Sequence, residues 1–414
     1  MEYFAYKNAC LCPLDGTLPD GAEKAPEPFF PLVFLRSSDP LFSRSAYSID
    51  DVREASEPDG PQVLCALTDE SGQTDNLSKM VKEKGALVIN TAFQKSLEYL
   101  IHPLPALSKP AAIHIAGLGD VGGTLLIGLV LLGSGTVKQI GLYDPDMQKC
   151  MRYEQEVNQI LPLSGNPPSV RIICKEELFD CDIFVFTASK SAPPSDADLK
   201  DVRIVQLEGN KRILAPYARM ARKAGFKGLF AQVSDPVDHL SRAVFLESNK
   251  NELGKFDFQG LLPEQIRGFG LGVMAARASY FAKKRGVEVF PQNGRVFGPH
   301  GRGLVAANDY GAGYDPEISE LLTRDAVTAN IKVRETGYKP FIAPGLSSAC
   351  ISLLRLLKGE WHDSAIPLGG VYFGCRSRLD ERGIRTERLR LHPKLYSRIE
   401  WAYTRLKESF DELL

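Results

Sequence analysis

The sequence predicts an α/β protein with a parallel sheet, and two observations carry that prediction. A short apolar run, Ile113 to Ala116, leads into Gly117-Leu-Gly-Asp-Val-Gly122, then a helix-like apolar stretch and a second apolar run ending at Asp144. This is the order of a strand, a turn, a helix and a strand. Later in the chain, strand-like runs alternate with helical periodicity, which is typical of a parallel sheet with helical crossovers.

The glycine turn predicts a dinucleotide-binding site. Gly117 allows the tight turn, Gly119 removes the Cβ that would block a pyrophosphate, and Gly122 lets the helix pack closely on the sheet. The phosphates would then lie at a helix N-terminus, which attracts anions. Asp144 is placed to accept hydrogen bonds from the ribose hydroxyls and to repel the extra phosphate of NADP. No arginine follows it directly, so the pattern favours NAD. The alternative is a doubly wound fold whose nucleotide site has been lost.

Periodicity and turn residues predict the neighbouring elements. The apolar stretch 124–132 is expected to be a buried helix, because glycines stop it far short of the thickness of a bilayer. Further helices are predicted at 76–84, 147–161 and 198–224, and further strands at 86–90, 170–174, 182–187 and 229–233.

The composition of the chain indicates which kinds of partner and which cellular compartment to expect. The chain has 414 residues, 44% of them hydrophobic and 24% charged, with a formal net charge of −1. That balance implies no nucleic-acid partner, and no apolar run predicts a membrane partner. The start of the sequence lacks the pattern of a secretory signal. The eight cysteines are scattered, and Cys10 and Cys12 have no second pair at zinc-ligand spacing. We therefore expect a cytoplasmic protein with reduced thiols and no metal site.

Six motifs in register make the chain similar to a known family. In order they are GLGDVG, GLYDPD, DIFVFTAS, VSDPVD, RGFGLGVMAARASY and FGPHGRG. From about residue 110 to 414 the chain resembles the lactate/malate dehydrogenase family. The resemblance implies a NAD-binding Rossmann domain followed by an α+β substrate domain, assembled as a homodimer or homotetramer. The expected domains are a small N-terminal α/β module of unknown role (1–108), the Rossmann domain (109–240) and the substrate domain (241–414).

The resemblance also implies site residues. His300, in Gly-Pro-His-Gly, matches the family histidine that exchanges a proton with the substrate, a role that suits histidine because the unperturbed pKa of an imidazole lies near neutrality. Arg277 matches the arginine that binds the substrate carboxylate bidentately. Asn210 matches the asparagine near nicotinamide and substrate. Considered without the family pattern, His300 would more often be a loop histidine with no catalytic role. Arg277 would then more often belong to a structural salt bridge. The residues predicted to bind the cofactor are Gly117, Gly119, Asp120, Val121, Gly122, Asp144, Thr187, Ala188 and Ser189.

Three departures from the family pattern concern the reaction itself. Met274 stands where the family has the aspartate that orients the histidine. In the family, the loop at residues 190–201 carries an arginine that polarises the substrate carbonyl. Here the only basic residues of this loop are Lys190 and Lys200. Asp235 replaces an asparagine beside the substrate oxygen. We hypothesise that Asp235 takes over the pairing with His300. Asp235 would equally attract a cationic group, in which case the substrate carries an amine or an imine.

The expected activity is NAD-dependent oxidoreduction of a small carboxylated 2-hydroxy or 2-oxo acid, or of its amino or imino counterpart. The alternative is a NAD-binding protein without robust dehydrogenase activity, acting as a sensor or a structural partner. A NAD-dependent glycosidase on a related fold ranks below both, because it needs a metal held by cysteine and histidine, and no cysteine lies near His300 in the sequence.

Overall fold

Three sheets organise the described part of the chain. The computed structural model describes residues 1–67, 75–100, 105–161, 165–189, 199–381 and 383–411. Within those ranges the sheets have six, nine and two strands. Most of the predicted arginine-free loop, residues 190–198, lies outside the described residues.

The N-terminal module forms the six-stranded sheet. Its elements are β1 (Tyr3–Tyr6), β2 (Ala9–Pro13), β3 (Glu23–Ala25), β4 (Leu32–Arg36), β5 (Ala46–Ile49), α1 (Asn76–Lys84) and β6 (Ala86–Asn90). The strand order is β3-β1-β2-β4-β6-β5, with β2, β4 and β6 mutually parallel and the other pairs antiparallel. The predicted helix 76–84 and strand 86–90 are confirmed.

The nine-stranded sheet begins with six parallel strands. They are β7 (Ala111–Ala116), β8 (Val137–Tyr143), β9 (Ser169–Ile172), β10 (Ile183–Phe186), β11 (Leu229–Gln232) and β12 (Ile266–Gly268). The predicted parallel sheet is therefore confirmed. The sheet order is completed by three antiparallel strands from the end of the chain, which the sequence patterns did not place there. They are β15 (His362–Leu368), β16 (Val371–Asp380) and β17 (Gly383–Thr386). One sheet thus crosses the predicted domain boundary at residues 240 and 241.

Helices connect and cover the strands. They are α2 (Asp120–Leu132), α3 (Met147–Val157), α4 (Leu199–Lys223), α5 (Val237–Ser248), α6 (Leu271–Lys284), α7 (Phe290–Asn293), α8 (Pro316–Glu335), α9 (Ser352–Leu357) and α10 (Pro393–Asp411). A π-helical stretch, Pro344–Ile351, runs directly into α9. The predicted helix 198–224 matches α4, whereas α3 ends at Val157, four residues before the predicted end at 161. None of the described helices combines the length and the apolarity that a membrane crossing requires.

The helix α2 is buried on one face only, which corrects the sequence prediction. Leu125, Leu126 and Leu129 are inaccessible to solvent. On another face Ile127, Leu131 and Leu132 are 41 to 54% exposed in the single chain. The sequence does not distinguish the buried face of α2 from the exposed face, because both faces are apolar and the helix shows no apolar–polar periodicity.

The N-terminal module shares a hydrophobic core with the nine-stranded sheet. Leu11 and Val33 belong to the same buried cluster as Phe184 and Phe230. A buried carboxylate joins the two parts as well, since Glu264 accepts hydrogen bonds from the N–H groups of Ser45 (2.9 Å) and Ala46 (3.3 Å). No disulfide joins any of the eight cysteines, all of which lie within the described residues.

The remaining strands form a hairpin that carries the candidate catalytic histidine. β13 (Arg295–Phe297) and β14 (Val305–Ala307) are antiparallel, and His300 lies in the loop between them. The N–H of Gly298 donates to the carbonyl of Gly374 on β16 (2.9 Å). This contact fixes the start of the loop against the nine-stranded sheet.

Candidate active site

A cleft of about 990 Å³ opens at the carboxyl edge of the parallel strands. Ligands bind outside this edge in open α/β sheets, because the strand-to-helix turns gather there. The turns after β7, β10, β11 and β12 all contribute to the walls. Residues that line the cleft include Gly119, Asp120, Val121, Thr187, Ser189, Ser234, Asp235, Phe269, Gly270, His300 and Ser348.

The glycine turn fits a pyrophosphate. Gly117 has φ +103°, and a Cβ on it would meet the Ala188 nitrogen at 2.6 Å. A Cβ on Gly122 would meet the carbonyl oxygen of Gly117 at 2.0 Å, so the turn and α2 pack too closely for any side chain there. A Cβ on Gly119 would meet nothing within 4 Å. Gly119 also begins α2 without a side-chain cap. Open space beside uncapped N–H groups is the arrangement that a phosphate needs.

Asp144 supports the glycine turn through its carboxylate. It accepts hydrogen bonds from the N–H groups of Leu118 (2.8 Å) and Asp146 (2.9 Å), and its side chain is only 10% exposed. The Asp144 carboxylate was predicted to accept hydrogen bonds from ribose hydroxyls, but part of its capacity to accept is already used by these two main-chain donors. That ribose contact stays a prediction.

Basic side chains line the nucleotide end of the cleft, a feature that the sequence analysis missed. Lys149 and Arg152 come from α3, and Arg334 and Lys339 come from α8 and the segment after it. Lys149 Nζ lies 3.8 Å from Asp144, and Lys339 Nζ lies 3.1 Å from Asp120. These cations favour a ligand with negative charge. The helical spacing of Lys149 and Arg152 was visible in the sequence, but only the fold shows that they reach the cleft.

The residues after β10 pack against the glycine turn and stabilise it by hydrogen bonds. The Thr187 hydroxyl donates to the carbonyl of Gly117 (2.5 Å). The Ser234 hydroxyl donates to the carbonyl of Ala188 (2.8 Å), and Ser189 is exposed along the wall. The structure thus brings together at one turn the residues that the sequence predicted for the cofactor.

His300 is oriented by the main chain. Its Nδ1 lies 2.7 Å from the carbonyl oxygen of Gly270, the residue that begins α6. Because a carbonyl only accepts, Nδ1 carries the hydrogen, and the neutral ring then has its free electron pair on Nε2. The N–H of His300 donates to Asp238 (2.8 Å), which fixes the backbone as well.

The glycine at position 270 makes this orientation possible. A Cβ on Gly270 would meet Cβ and Cγ of His300 at 2.9 Å. The same Gly270 carbonyl also accepts from the Ser348 hydroxyl (2.8 Å). Met274, at the position of the family aspartate, is buried in an apolar cluster. A carbonyl from the same segment therefore holds the ring in place of a carboxylate.

Asp235 lies beside His300, but at the nitrogen that faces the cleft. Its Oδ1 is 3.6 Å from Nε2, beyond an ordinary hydrogen bond and within ion-pair distance. The predicted pairing of Asp235 with His300 is thus present as a contact within ion-pair distance, but it is made at Nε2, because the Gly270 carbonyl already occupies Nδ1. The Asp235 side chain is 55% exposed.

Asp238 is a second acid at the site. Burial raises the pKa of its carboxyl to about 7; the N–H of His300 opposes the rise, and the nearby charge of Asp235 adds to it. Asp238 is the last residue of the VSDPVD motif, and the sequence did not predict a role for it. A signal was present, because an aspartate at the start of an apolar helix is placed for contacts with the preceding turn.

Asn210 contacts Asp235 directly, whereas Arg277 is linked to it only through the effect of its charge. Asn210 is buried, and its amide donates to the carbonyl of Asp235 (2.7 Å). Arg277 does not occur among the described residues that line the cleft. Its guanidinium lies 3.5 Å from the Ala326 carbonyl and 3.8 Å from the Met274 sulfur. Burial lowers the pKa of Arg277, and the charge of Asp235 offsets part of that effect.

Comparison with known proteins shows which proteins the chain resembles. No family model matches it. It is 24% identical to an L-lactate dehydrogenase of Staphylococcus saprophyticus over 302 residues, which is 66% of this chain and 87% of the relative. The chain is thus similar to L-lactate dehydrogenases over about two thirds of its length.

Solved structures of lactate and malate dehydrogenases share the fold of this chain. The minor L-lactate dehydrogenase of Enterococcus mundtii aligns with a TM-score of 0.60 at 18% identity, covering 73% of this chain and 98% of that one. The malate dehydrogenase of Archaeoglobus fulgidus, solved with NADH, aligns with a TM-score of 0.56 at 18% identity, covering 73% and 99%. The predicted Rossmann-type fold with an additional N-terminal module is thereby confirmed.

Proposed function

We propose that this protein is an NAD-dependent oxidoreductase resembling malate and lactate dehydrogenases and acting on a small carboxylated substrate, with His300 as the acid/base. The observation that carries the proposal is the orientation of His300. Its hydrogen-bearing Nδ1 is held by the Gly270 carbonyl, and its Nε2 faces the cleft that begins at the glycine turn. A neutral imidazole nitrogen directed at bound substrate is equipped to accept a proton and to return it.

The chain's own residues supply binding and proton transfer. The N–H groups at the start of α2 would hold the pyrophosphate, with Lys149 and Lys339 adding positive charge. Bound NAD would supply the site that accepts or donates hydride. Phe269 and Val237 form apolar parts of the wall, which help to exclude water. Arg277 remains the proposed anchor for a substrate carboxylate.

The experiment has two readouts. NADH binding is measured by fluorescence titration, and a panel of 2-oxo, 2-hydroxy and 2-amino acids is followed through the nicotinamide absorbance. We expect saturable NADH binding and turnover of at least one acid. A protein that binds neither NADH nor NAD contradicts the proposal.

A second candidate is a NAD-binding protein without dehydrogenase activity. It is favoured by two observations: Met274 offers no carboxylate, and Arg277 does not line the cleft. NADH binding without turnover of any acid in the panel would support this candidate.

Homo-oligomerisation stays part of the proposal. The exposed Ile127, Leu131 and Leu132 on α2 form an apolar strip consistent with it. Molecular mass in solution tests this point.

A further inference from the structure

The carboxylate of Asp235 lies on the substrate side of the histidine. The two ring nitrogens of His300 have different neighbours: Nδ1 contacts the Gly270 carbonyl, and Nε2 lies 3.6 Å from Asp235 Oδ1. A bound substrate must approach Nε2 to exchange a proton with it. The substrate therefore meets the negative charge of Asp235 at the same point.

The fold fixes Asp235 in this place. Its carbonyl accepts a hydrogen bond from the buried Asn210 amide (2.7 Å), and the preceding Ser234 bonds to the carbonyl of Ala188 (2.8 Å). In the described part of the chain, His300 is the partner within ion-pair distance of the Asp235 carboxylate. The carboxylate therefore keeps most of its acceptor capacity for a ligand.

The charges around Asp235 suit a zwitterion better than an anion. A 2-hydroxy acid carries only negative charge, so Asp235 repels it. A 2-amino acid carries an ammonium group that Asp235 attracts, beside a carboxylate that requires a cation. Arg277 is the proposed cation: it is not among the side chains that line the cleft, but it is close enough for the charge of Asp235 to affect its pKa. The segment 190–202 contains no arginine to polarise a carbonyl, and an iminium carbon needs no such help because it is already electron-poor.

We infer that the group oxidised in this cleft is a primary amine and that the substrates are 2-amino acids, with Asp235 as the counter-ion of the nitrogen. This inference rests on the proposed dehydrogenase function. Asp235 stabilises the ammonium group on binding and the iminium group that replaces it. His300 Nε2 is the proton acceptor between the two states.

The reaction balances with NAD as the oxidant. His300 Nε2 first takes one proton from the ammonium group, leaving a neutral amine with a lone pair. The bond between the α-carbon and its hydrogen then breaks, and the hydrogen leaves with both electrons to reduce NAD. The nitrogen lone pair forms the C=N bond, giving a 2-imino acid with a positive nitrogen. The proton on His300 passes to solvent. In the reverse direction a 2-oxo acid condenses with ammonia and releases water, and NADH reduces the resulting 2-imino acid.

Matched substrate pairs test the inference. Each pair differs only in an ammonium or a hydroxyl group: alanine and lactate, aspartate and malate, leucine and 2-hydroxyisocaproate, in both enantiomers. Turnover with NAD is measured for each member, and its affinity for the protein–NADH complex is measured by calorimetry. The variant Asp235→Asn keeps the shape of the side chain and removes its charge. Asp180→Asn makes the same change at an exposed aspartate that does not line the cleft.

We expect the wild-type protein to bind and oxidise the amino member of at least one pair preferentially. Asp235→Asn should lower affinity and kcat/KM for that amino acid about 10- to 100-fold, the range for a hydrogen bond to a charged group, and Asp180→Asn should change neither. Preference for the hydroxy members, with the amino/hydroxy ratio unaffected by Asp235→Asn, overturns the inference and leaves the dehydrogenase proposal standing. NADH binding with no turnover or binding of either member of any pair overturns both.

Discussion

The Nδ1 atom of His300 lies 2.7 Å from the carbonyl oxygen of Gly270, and this contact fixes the tautomer and the orientation of the imidazole. In the family pattern a carboxylate performs this orienting task, but here Met274 occupies that position and is buried among apolar side chains. A carbonyl fixes the same tautomer without adding a negative charge behind the ring. The negative charge lies instead at Nε2, in Asp235. In this cleft the acid thus lies at the nitrogen of His300 opposite the one that the main chain orients.

Substituting Gly270 by alanine should displace His300. The new Cβ would meet His300 Cβ and Cγ at 2.9 Å, closer than real side chains pack. A shift of the ring by a fraction of an ångström should lower kcat about 100-fold and leave the Kd for NADH unchanged. Steady-state kinetics and fluorescence titration check this. Gly311→Ala is the control, because its Cβ would have its nearest neighbour at 3.6 Å. Equal kcat values for Gly270→Ala and wild type would contradict the assigned role.

Substituting Gly119 by alanine should weaken dinucleotide binding without weakening the fold. The added Cβ meets nothing within 4 Å in the protein, so the thermal midpoint should not change. The methyl group would occupy the approach of the pyrophosphate and should raise the Kd for NADH about tenfold or more, at least 1.4 kcal/mol. Calorimetry and thermal unfolding check the two halves of the prediction. An unaltered Kd would place the phosphates elsewhere.

Glu264 should make the stability of the protein fall as pH rises. Burial raises the pKa of its carboxyl to about 7, from 4.5 for an exposed glutamate. Between these values the folded state holds a proton that the unfolded state has released, so the contribution is complete below about pH 4.5 and is lost as pH rises to about 7. The loss is on the order of 3 kcal/mol.

Glu264→Gln is the matched variant for this effect. It keeps an acceptor for the N–H groups of Ser45 and Ala46 and does not titrate. Denaturant unfolding of both proteins from pH 4.5 to 7.5 checks the prediction. The wild-type free energy of unfolding should decline relative to the variant over this interval. Parallel pH profiles would show that Glu264 does not titrate there.

Cofactor selectivity should favour NAD over NADP despite the basic side chains in the cleft. Asp144 stays at the end of β8 with both oxygens near main-chain donors, and its charge repels a ribose phosphate. Lys149, 3.8 Å away, partly neutralises it. We therefore expect a lower Kd for NADH than for NADPH, and Lys149→Ala should widen the difference. Fluorescence titration of both cofactors checks this, and tighter binding of NADPH would reverse the assignment.

Local patterns in the sequence predicted the parts of the site that depend on local geometry. The glycine turn, β7, α2, β8 and the aspartate at residue 144 lie within 34 consecutive residues, and the structure brings them together as expected. The surroundings of His300 were not predictable in the same way. Its partner at Nδ1 is a main-chain carbonyl, which leaves no side-chain signal, and Asp235 approaches from a separate strand end. The position of Lys339 beside Asp120 likewise depends on contacts between distant segments.

The most direct test of the account is the rate of His300→Asn against wild type on the best acid found with NAD. Asparagine retains an N–H donor for the Gly270 carbonyl but cannot take up a proton. We expect kcat to fall about 10²- to 10⁴-fold, the usual contribution of a general base, while the Kd for NADH stays unchanged. A variant that turns over as fast as the wild-type protein would contradict the role of His300 and, with it, the proposed dehydrogenase mechanism.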